Sequence, residues 1–381
     1  MPKPQDARVK RVSFTNWAII FVAIAMWMFL GLLVTPSSRV HDFLNIYTGG
    51  KLALEGRFAE LHDPAVQFAE EQKLVPTNDR LVPFVRPHVY AAFLSPLALL
   101  PFGTAFWAWL GFHTVLLFGC WYWGFRQFPA DSVVISALYL PTALGIAHGQ
   151  DGVLMLVISI AAYSMLQRGN VFAAGCVLAL GLIKFHLFLL WPVAMLVSRN
   201  WRMLAGFCTG GAGMALASLA LGGMQGAKAY VGLLTNKDLE RLSPTPEFMI
   251  NAQSIAANLA EGSTIVQAAW TVLTLVMWLV AIWKAPLWRW WSATALAGLL
   301  IVPHTYGYDA SLLLLPFWLM LFVNADKRLK IVATLASTPL PFLLTLADKP
   351  WSVAAALALT AVLFTMALGA GKKKEQEVAA V

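Results

Sequence analysis

Ionisable and hydrogen-bonding side chains stand inside or at the tips of otherwise apolar segments of this sequence. The first is Asp42, which follows an apolar run from Trp17 to Val34 within a few residues. The others are Arg86, His88, His148, Gln150, Asp151, Lys184, His186, His304, Tyr306, Tyr308 and Asp309. A carboxylate at such a boundary is costly unless it is solvated, paired or used in chemistry. Combined with cationic groups, it suits a reaction in which a base activates a nucleophile while a phosphorylated group departs.

The composition identifies the surroundings of these groups as a lipid bilayer. Of 381 residues, 59% are hydrophobic and 12% are charged, about half the charged fraction of a soluble domain. We therefore predict an all-α, polytopic integral membrane protein. The net charge of +8 does not indicate nucleic acid, because the basic residues lie at the ends of apolar segments. Cys120, Cys176 and Cys208 lack disulfide or metal-ligand spacing, so we expect no metal site and no cofactor.

The hydropathy pattern predicts about twelve transmembrane helices. They cover residues 17–35, 103–125, 132–147, 152–167, 171–184, 186–198, 201–221, 265–283, 288–303, 309–324, 330–346 and 351–369. A further apolar stretch, 88–100, is too short to cross a bilayer. The first span exceeds the apolar part of a signal peptide, so we interpret it as an uncleaved anchor.

The charge distribution orients these spans. With the N-terminus in the cytoplasm, basic residues concentrate on the inner side and acidic residues on the outer side. Both termini then lie inside, the polar groups named above lie on the outer side, and 88–100 becomes a re-entrant or interfacial helix. Residues 36–87 and 222–264 form outer loops, the first with helices along the membrane surface. We treat 1–371 as a single transmembrane domain and 372–381 as a basic cytoplasmic tail.

Short motifs occur in the order found in glycosyltransferase family 87. The opening set resembles the start of that family: His41-Asp42-Phe43, Tyr47, Gly49-Gly50, Leu52, Gly56 and Leu61-His62-Asp63. The later sets resemble its subsequent motifs: Pro96 to Pro101, His148-Gly149-Gln150, Arg168-Gly169-Asn170, Ala174-Gly175, Lys184, Pro303-His304 and Tyr308-Asp309. The resemblance extends from about residue 41 to 316. The sequence departs from the family pattern at Arg86-Pro87-His88, Phe185-His186 and His62. These changes bear on the identity of the substrate more than on the type of reaction, because they alter groups that shape the pocket and leave Asp42 in place.

The resemblance implies a GT-C type fold and a reaction with little or no dependence on metal. The reaction is an inverting transfer of a sugar from a polyprenyl-monophosphate donor to a lipid-linked or glycolipid acceptor, on the outer face of the cytoplasmic membrane. In that scheme Asp42 is the general base, and the donor phosphate is held by Lys184, His304 and Arg86. Seven further polar residues are assigned to the substrate pocket: His41, His88, Gln150, His186, Tyr306, Tyr308 and Asp309.

The residues also admit other interpretations. Asp42 would suit the N-cap of a helix starting near Phe43, Lys184 would suit a lysine that reaches the membrane interface from a helix end, and Gln150-Asp151 would suit a turn between spans. A transporter or flippase of a lipid-linked sugar is the main functional alternative, with a scaffold and a phosphoryl transferase behind it. The one-sided distribution of polar groups favours an enzyme, because a transport path needs polar residues on both sides.

Overall fold

The described part of the protein is all-helical, as predicted. The computed structural model describes residues 36–236, 245–347 and 350–371, together with residues 18, 20 and 21, and these ranges contain no strand. The predicted first span, 17–35, therefore lies outside the described residues apart from those three positions, and so does the basic tail from residue 372 onward. The backbone of His41 is described within a helix, whereas its side chain is not.

Most of the α-helices are joined by short connections, and the longer connections follow α2 and α11. They are α1 Pro36–Leu54, α2 Pro64–Leu74, α3 His88–Leu94, α4 Phe102–Gln127, α5 Asp131–Leu138, α6 Leu140–Ala147, α7 Gly152–Gln167, α8 Val171–Ala179, α9 Phe185–Phe188, α10 Leu190–Val197, α11 Trp201–Leu234, α12 Ala252–Leu259, α13 Thr264–Ile282, α14 Leu287–Ile301, α15 Leu314–Trp318, α16 Lys327–Ser337, α17 Pro339–Leu344 and α18 Ala354–Leu368. Single 3₁₀ turns extend several of them, at Ser95–Leu99, Leu180–Lys184, Gly307–Leu313 and Trp351–Val353.

Within the described residues, five helical segments are long and apolar enough to cross a membrane. They are Phe102–Gln127, Val171–Phe188, Trp201–Leu234, Thr264–Ile282 and Trp351–Leu368. Shorter apolar segments occur at His88–Leu99, Gly152–Gln167 and Gly307–Val323. The chain is therefore a helical membrane protein. The total of about twelve spans, and the re-entrant course of 88–100, stay predictions.

Several of the predicted spans are broken into short helices. The segment predicted at 132–147 divides into α5 and α6 at Tyr139, whose ψ of 92° is extended, just before Pro141. The segment predicted at 330–346 divides into α16 and α17 at Thr338, which precedes Pro339. A helix of eight residues is only about 12 Å long. Helices this short end at membrane depth only where protein or a polar cavity surrounds their ends.

Helix α14 forms the centre of the molecule. Every residue from Trp290 to Leu300 is buried, so this helix is enclosed on all sides and nearly all its side chains are apolar, as in a core helix. The Trp291 indole donates a hydrogen bond to Ser159 Oγ in α7, at 3.1 Å. Because α14 ends at Ile301, the segment that carries His304 and the tyrosines begins at the end of the most enclosed helix.

Helix α11 is unusually long and is interrupted once. Its glycines let it cross α8 closely, since a Cβ atom on Gly206 would overlap the carbonyl oxygen of Phe172, a packing mode typical of membrane helices. Near its far end, Gly223 has a positive φ of 62°, a conformation that glycine adopts at little cost. Gly222 and Gly226 on either side of this break pack against the ring of His88.

Residues 42–87, most of the loop that the sequence predicts on the outer side, are folded and not a tether. Helix α1 is buried from Phe43 to Gly50, and Phe43 packs against Phe102 and Phe106, with ring centroids 5.6 and 5.4 Å apart. The Tyr47 hydroxyl donates to the carbonyl oxygen of Leu100 at 2.8 Å. These contacts fix α1 against the start of α4, and with it the position of Asp42. Asp42 lies inside α1, so it is not the N-cap of a helix beginning near Phe43.

A buried carboxylate holds the irregular segment 75–87, which follows α2. Glu71 is fully buried, and one of its carboxylate oxygens accepts hydrogen bonds from Asn78 Nδ2 and the Val82 backbone N–H, both at 3.1 Å. Burial raises the pKa of Glu71 to about 7. A raised pKa means that the folded segment prefers the protonated acid, so its stabilising contribution is complete below about pH 4.5 and is lost as the pH rises to about 7.

Glu71→Gln should remove this pH dependence. In the wild type, we expect protection of residues 64–86 against hydrogen exchange to fall between about pH 5 and about pH 8, by an amount on the order of 2 kcal/mol. The variant should keep nearly constant protection, because its amide does not ionise. Exchange rates corrected for their intrinsic pH dependence measure the effect. The exposed Asp79→Asn is the control, and equal pH dependence in Glu71→Gln and the wild type would contradict the assignment.

Candidate functional site

Four buried charges form the centre of the site. Asp151 Oδ2 lies 3.0 Å from Arg86 Nε, and Asp151 Oδ1 lies 2.8 Å from Lys184 Nζ. Lys184 Nζ is also 2.7 Å from Asp309 Oδ1. Each of the four side chains is at most 8% exposed. Two cations and two carboxylates give the group no net charge, which is the condition for burying them together at an acceptable cost. We call these four residues the ion network.

The members of the ion network come from distant parts of the chain. Arg86 lies at the end of the segment that Glu71 holds, and Asp151 directly precedes α7. Lys184 is the last residue of the 3₁₀ turn Leu180–Lys184, and its φ and ψ of −109° and 62° interrupt the helical path between α8 and α9. Asp309 lies in the turn Gly307–Leu313, and its second oxygen accepts the Tyr306 backbone N–H at 3.0 Å. The helix break at Lys184 brings a cation to the point where the other three elements meet.

The electrostatics of Asp151 follow from this arrangement. Burial alone would raise the pKa of Asp151, but the positive charges of Arg86 and Lys184 hold that pKa well below its usual range. Gln150, its neighbour, accepts a further hydrogen bond from Lys184 Nζ at 3.3 Å. Gln150 and Asp151 are therefore more than a turn between two spans.

A second, more open pair of groups contains the predicted base. Asp42 Oδ2 lies 3.0 Å from His148 Nδ1, and the two side chains are 26% and 22% exposed. Asp42 comes from α1 and His148 from the residue that ends α6. Each side chain therefore keeps access to solvent while it contacts the other.

A row of aromatic rings connects this pair with the ion network. The Tyr308 ring lies 5.9 Å from the His148 ring and 5.5 Å from Lys184 Nζ. Tyr306 follows at 5.6 Å from Tyr308, and His304 at 5.0 Å from Tyr306. Tyr308 thus stands between the open carboxylate and the buried cations, and the row ends at the exposed His304.

A cavity of about 340 Å³ adjoins the end of this row. It lies between the segment 246–257 and the start of α13. The residues that line it are Pro246, Met249, Gln253, Ala256, Ala257, Gly262, Gln267, Pro303 and His304. An isolated bridge between Met249 and Tyr306, with a hydrogen bond from Ile250 N–H to the Thr305 carbonyl at 3.0 Å, fixes this wall against the aromatic row.

Most of the residues singled out from the sequence meet here. Contacts connect Asp42, Arg86, Gln150, Lys184, His304, Tyr306, Tyr308 and Asp309 into one region. His88 faces elsewhere and packs on His62, with ring centroids 4.5 Å apart. The His186 ring packs on Phe185 beside the helix break, and the side chain of His41 lies outside the described residues.

The sequence-based site omitted His148 and Asp151, which contact the predicted base and the predicted phosphate ligands. A signal was available for Asp151, because two cations predicted at the same membrane depth require carboxylates to balance them. For His148 the signal was its position in the same polar set, at the tip of a span. The role of Lys184 and Arg86 as phosphate ligands stays a prediction. Both cations are paired with carboxylates in this structure.

The fold and the site together define an integral membrane protein with a polar centre at the broken ends of its helices. The model of glycosyltransferase family 87 matches residues 84–316, which is more than half of the chain. The protein belongs to this family and is a membrane glycosyltransferase. The matched range contains the whole ion network, His148 and His304, and it begins after Asp42. Comparisons with curated proteins and with solved structures gave no match.

The ion network predicts a specific pattern of stability. Asp151→Asn should destabilise the protein by about 3–5 kcal/mol, because it leaves two buried cations with a single carboxylate. Arg86→Gln combined with Asp151→Asn should be less destabilising, since the remaining Lys184–Asp309 pair is neutral. Thermal unfolding of the purified protein in detergent measures both effects, with the exposed Asp79→Asn as control. A double variant that is less stable than Asp151→Asn alone would refute the charge-balance explanation.

Proposed function

We propose that this glycosyltransferase moves a sugar from a polyprenyl-monophosphate donor to a lipid-linked or glycolipid acceptor, with inversion at the anomeric carbon. The observation that carries the proposal is the position of Asp42. Its carboxylate is partly open to solvent, and one of its oxygens is occupied by His148. It is separated from the buried cations by the ring of Tyr308. The proposed base therefore lies close to the buried ion network, with one aromatic side chain between them.

In the proposed reaction, Asp42 accepts the proton of an acceptor hydroxyl. The oxygen then forms a bond to the anomeric carbon as the bond from that carbon to the phosphate oxygen breaks. The electron pair leaves with the polyprenyl phosphate. General-base assistance of this kind contributes roughly 10²- to 10⁴-fold to a rate.

The charge that develops on the leaving phosphate is stabilised by cations and by hydrogen-bond donors. We assign this role to Lys184, His304 and Arg86. The surrounding substrate pocket includes Gln150, Tyr306, Tyr308 and Asp309. Three further residues are proposed for that pocket from the sequence alone: His41, His88 and His186. His304 is the most accessible of the three. Arg86 and Lys184 lie in the ion network, where Asp151 and Asp309 balance their two charges. The difference in accessibility gives His304 the direct contact with the phosphate, while the buried ion pairs contribute fixed dipoles near it.

The proposed setting is the cytoplasmic membrane of the cell, with the site on its outer face and both termini inside. The excess of Lys and Arg in the predicted inner loops supports this orientation. A GT-C type arrangement of about twelve spans, surrounded by membrane lipids, belongs to the same proposal. Reaction without a metal is part of it as well, because inverting transfer from a lipid phosphate needs a base and a stabilised leaving group.

Transport of a lipid-linked sugar is the weaker alternative. Membership of a glycosyltransferase family argues against it. The buried ion network argues against it too, because alternating access would have to separate paired charges that hold four elements together.

Asp42→Asn should abolish transfer while the protein still inserts into the membrane. The amide has nearly the same shape but cannot accept the hydroxyl proton, so we expect kcat to fall by about 10²- to 10⁴-fold. The assay offers purified enzyme in lipid a panel of polyprenyl-phosphate hexose and pentose donors, with a membrane glycolipid extract as acceptor. Asp79→Asn, an exposed aspartate outside the site, is the matched control. Transfer by Asp42→Asn within a few-fold of the wild type would remove Asp42 from the role of base.

His304→Ala should separate donor binding from the chemical step. If His304 contacts the donor phosphate equally in the ground state and the transition state, KM for the donor rises and saturating donor restores kcat. If the contact strengthens as the phosphate leaves, kcat falls as well. Initial rates across a range of donor concentrations measure both constants. Unchanged KM and kcat would exclude His304 from the donor site.

A further inference from the structure

We propose that His148 is a positioning residue for the Asp42 carboxylate. The inference rests on the proposed function, because it concerns how the base is held. His148 Nδ1 lies 3.0 Å from Asp42 Oδ2. An ionised carboxylate only accepts hydrogen bonds, so the imidazole donates through Nδ1–H. One oxygen of Asp42 is then occupied, and Oδ1 is left to receive the acceptor proton.

The backbone around His148 is built to hold its ring in place. The His148 N–H donates to the Leu144 carbonyl at 2.9 Å, and the next residue, Gly149, has a positive φ of 69°. The Gly149 carbonyl accepts the indole N–H of Trp109 at 2.9 Å. The turn that ends α6 is therefore fixed both by its own hydrogen bonds and by α4.

A packing contact sets the distance between the two elements that carry the pair. A Cβ atom added to Gly149 would lie 3.0 Å from the Cβ of Phe43, so α1 and the turn already touch at van der Waals distance. Phe43 directly follows Asp42, and Gly149 directly follows His148. The contact between Phe43 and Gly149 thus brings the two neighbouring side chains to hydrogen-bonding distance.

The pair is poorly suited to a purely structural role. Both side chains are about one-quarter exposed, and ion pairs open to water contribute about 0–1 kcal/mol to stability. The buried ion network next to it supplies the cohesion of this region. Removing the imidazole should therefore change the rate far more than the stability.

The test compares His148→Ala with His148→Asn in the donor panel assay. Loss of the hydrogen bond lets the carboxylate rotate, so His148→Ala should lower kcat by about 100-fold and leave KM for the donor within a few-fold. His148→Asn supplies an amide N–H in place of Nδ1–H and should recover at least one-tenth of the wild-type kcat. The melting temperature of His148→Ala should stay within about 3 °C of the wild type.

A pair of glycine variants tests the packing contact separately. Gly149→Ala and Gly169→Ala both place an alanine at positive φ, so both should lower the melting temperature, and Gly149→Ala should lower it more because of its additional contact. A Cβ at Gly169 meets nothing within 4 Å, whereas at Gly149 it meets Phe43. Only Gly149→Ala should also lower kcat, because it moves the turn relative to α1.

The outcomes distinguish the inference from the function on which it rests. If Asp42→Asn is inactive but His148→Ala keeps the wild-type kcat, Asp42 remains the base and His148 does not position it. If His148→Ala loses activity and unfolds at a much lower temperature, without recovery in His148→Asn, the role is structural and the inference is wrong. If the wild type uses no donor in the panel, or Asp42→Asn is active, the proposed function fails and the inference fails with it.

Discussion

The requirement that buried charges balance governs this structure. Arg86 and Lys184 would each be prohibitively costly in an apolar interior, and Asp151 and Asp309 lower that cost only at contact distance. Contact requires four elements to end, or break, at one point. The 3₁₀ turn before Lys184 and the turn Gly307–Leu313 are consequences of that requirement, because a continuous helix would carry these groups past one another. Two of the helix interruptions therefore lie at the polar centre, whereas those at Tyr139 and Thr338 precede prolines.

The ion network and the pair formed by Asp42 and His148 differ in their exposure to solvent. The ion network is buried and its charges balance, so its members are held together at contact distance. Asp42 and His148 are partly open, and ion pairs open to water contribute little to stability. Tyr308 lies between the two groups, near the His148 ring on one side and Lys184 Nζ on the other. A single tyrosine ring therefore separates a buried group of charges from a pair that water can reach.

The sequence was sufficient to predict the class of the protein and to single out most of the residues that the structure brings together, because both depend on local patterns. Long apolar runs imply membrane helices, and polar residues at their tips indicate a common depth. The sequence did not predict which charged residues pair, because the partners lie far apart along the chain. Lys184 and Asp309 are separated by 125 positions, and Arg86 and Asp151 by 65. Hydropathy also concealed the break at Tyr139, because the residues on both sides are apolar. The helical position of Asp42 was missed, since the helix begins at Pro36, before the apolar pattern of α1 becomes visible.

Helix α11 consists of two parts, because Gly223 leaves helical geometry and divides it into 201–222 and 224–234. The first part is about 33 Å long, close to the roughly 30 Å of hydrocarbon in a typical bilayer. The second part is therefore not needed to cross the membrane and takes another direction. Gly222 and Gly226, on the two sides of the break, pack against the ring of His88, two residues from Arg86. The bend in this helix and the wall behind the arginine thus depend on the same few residues, so neither can change without the other.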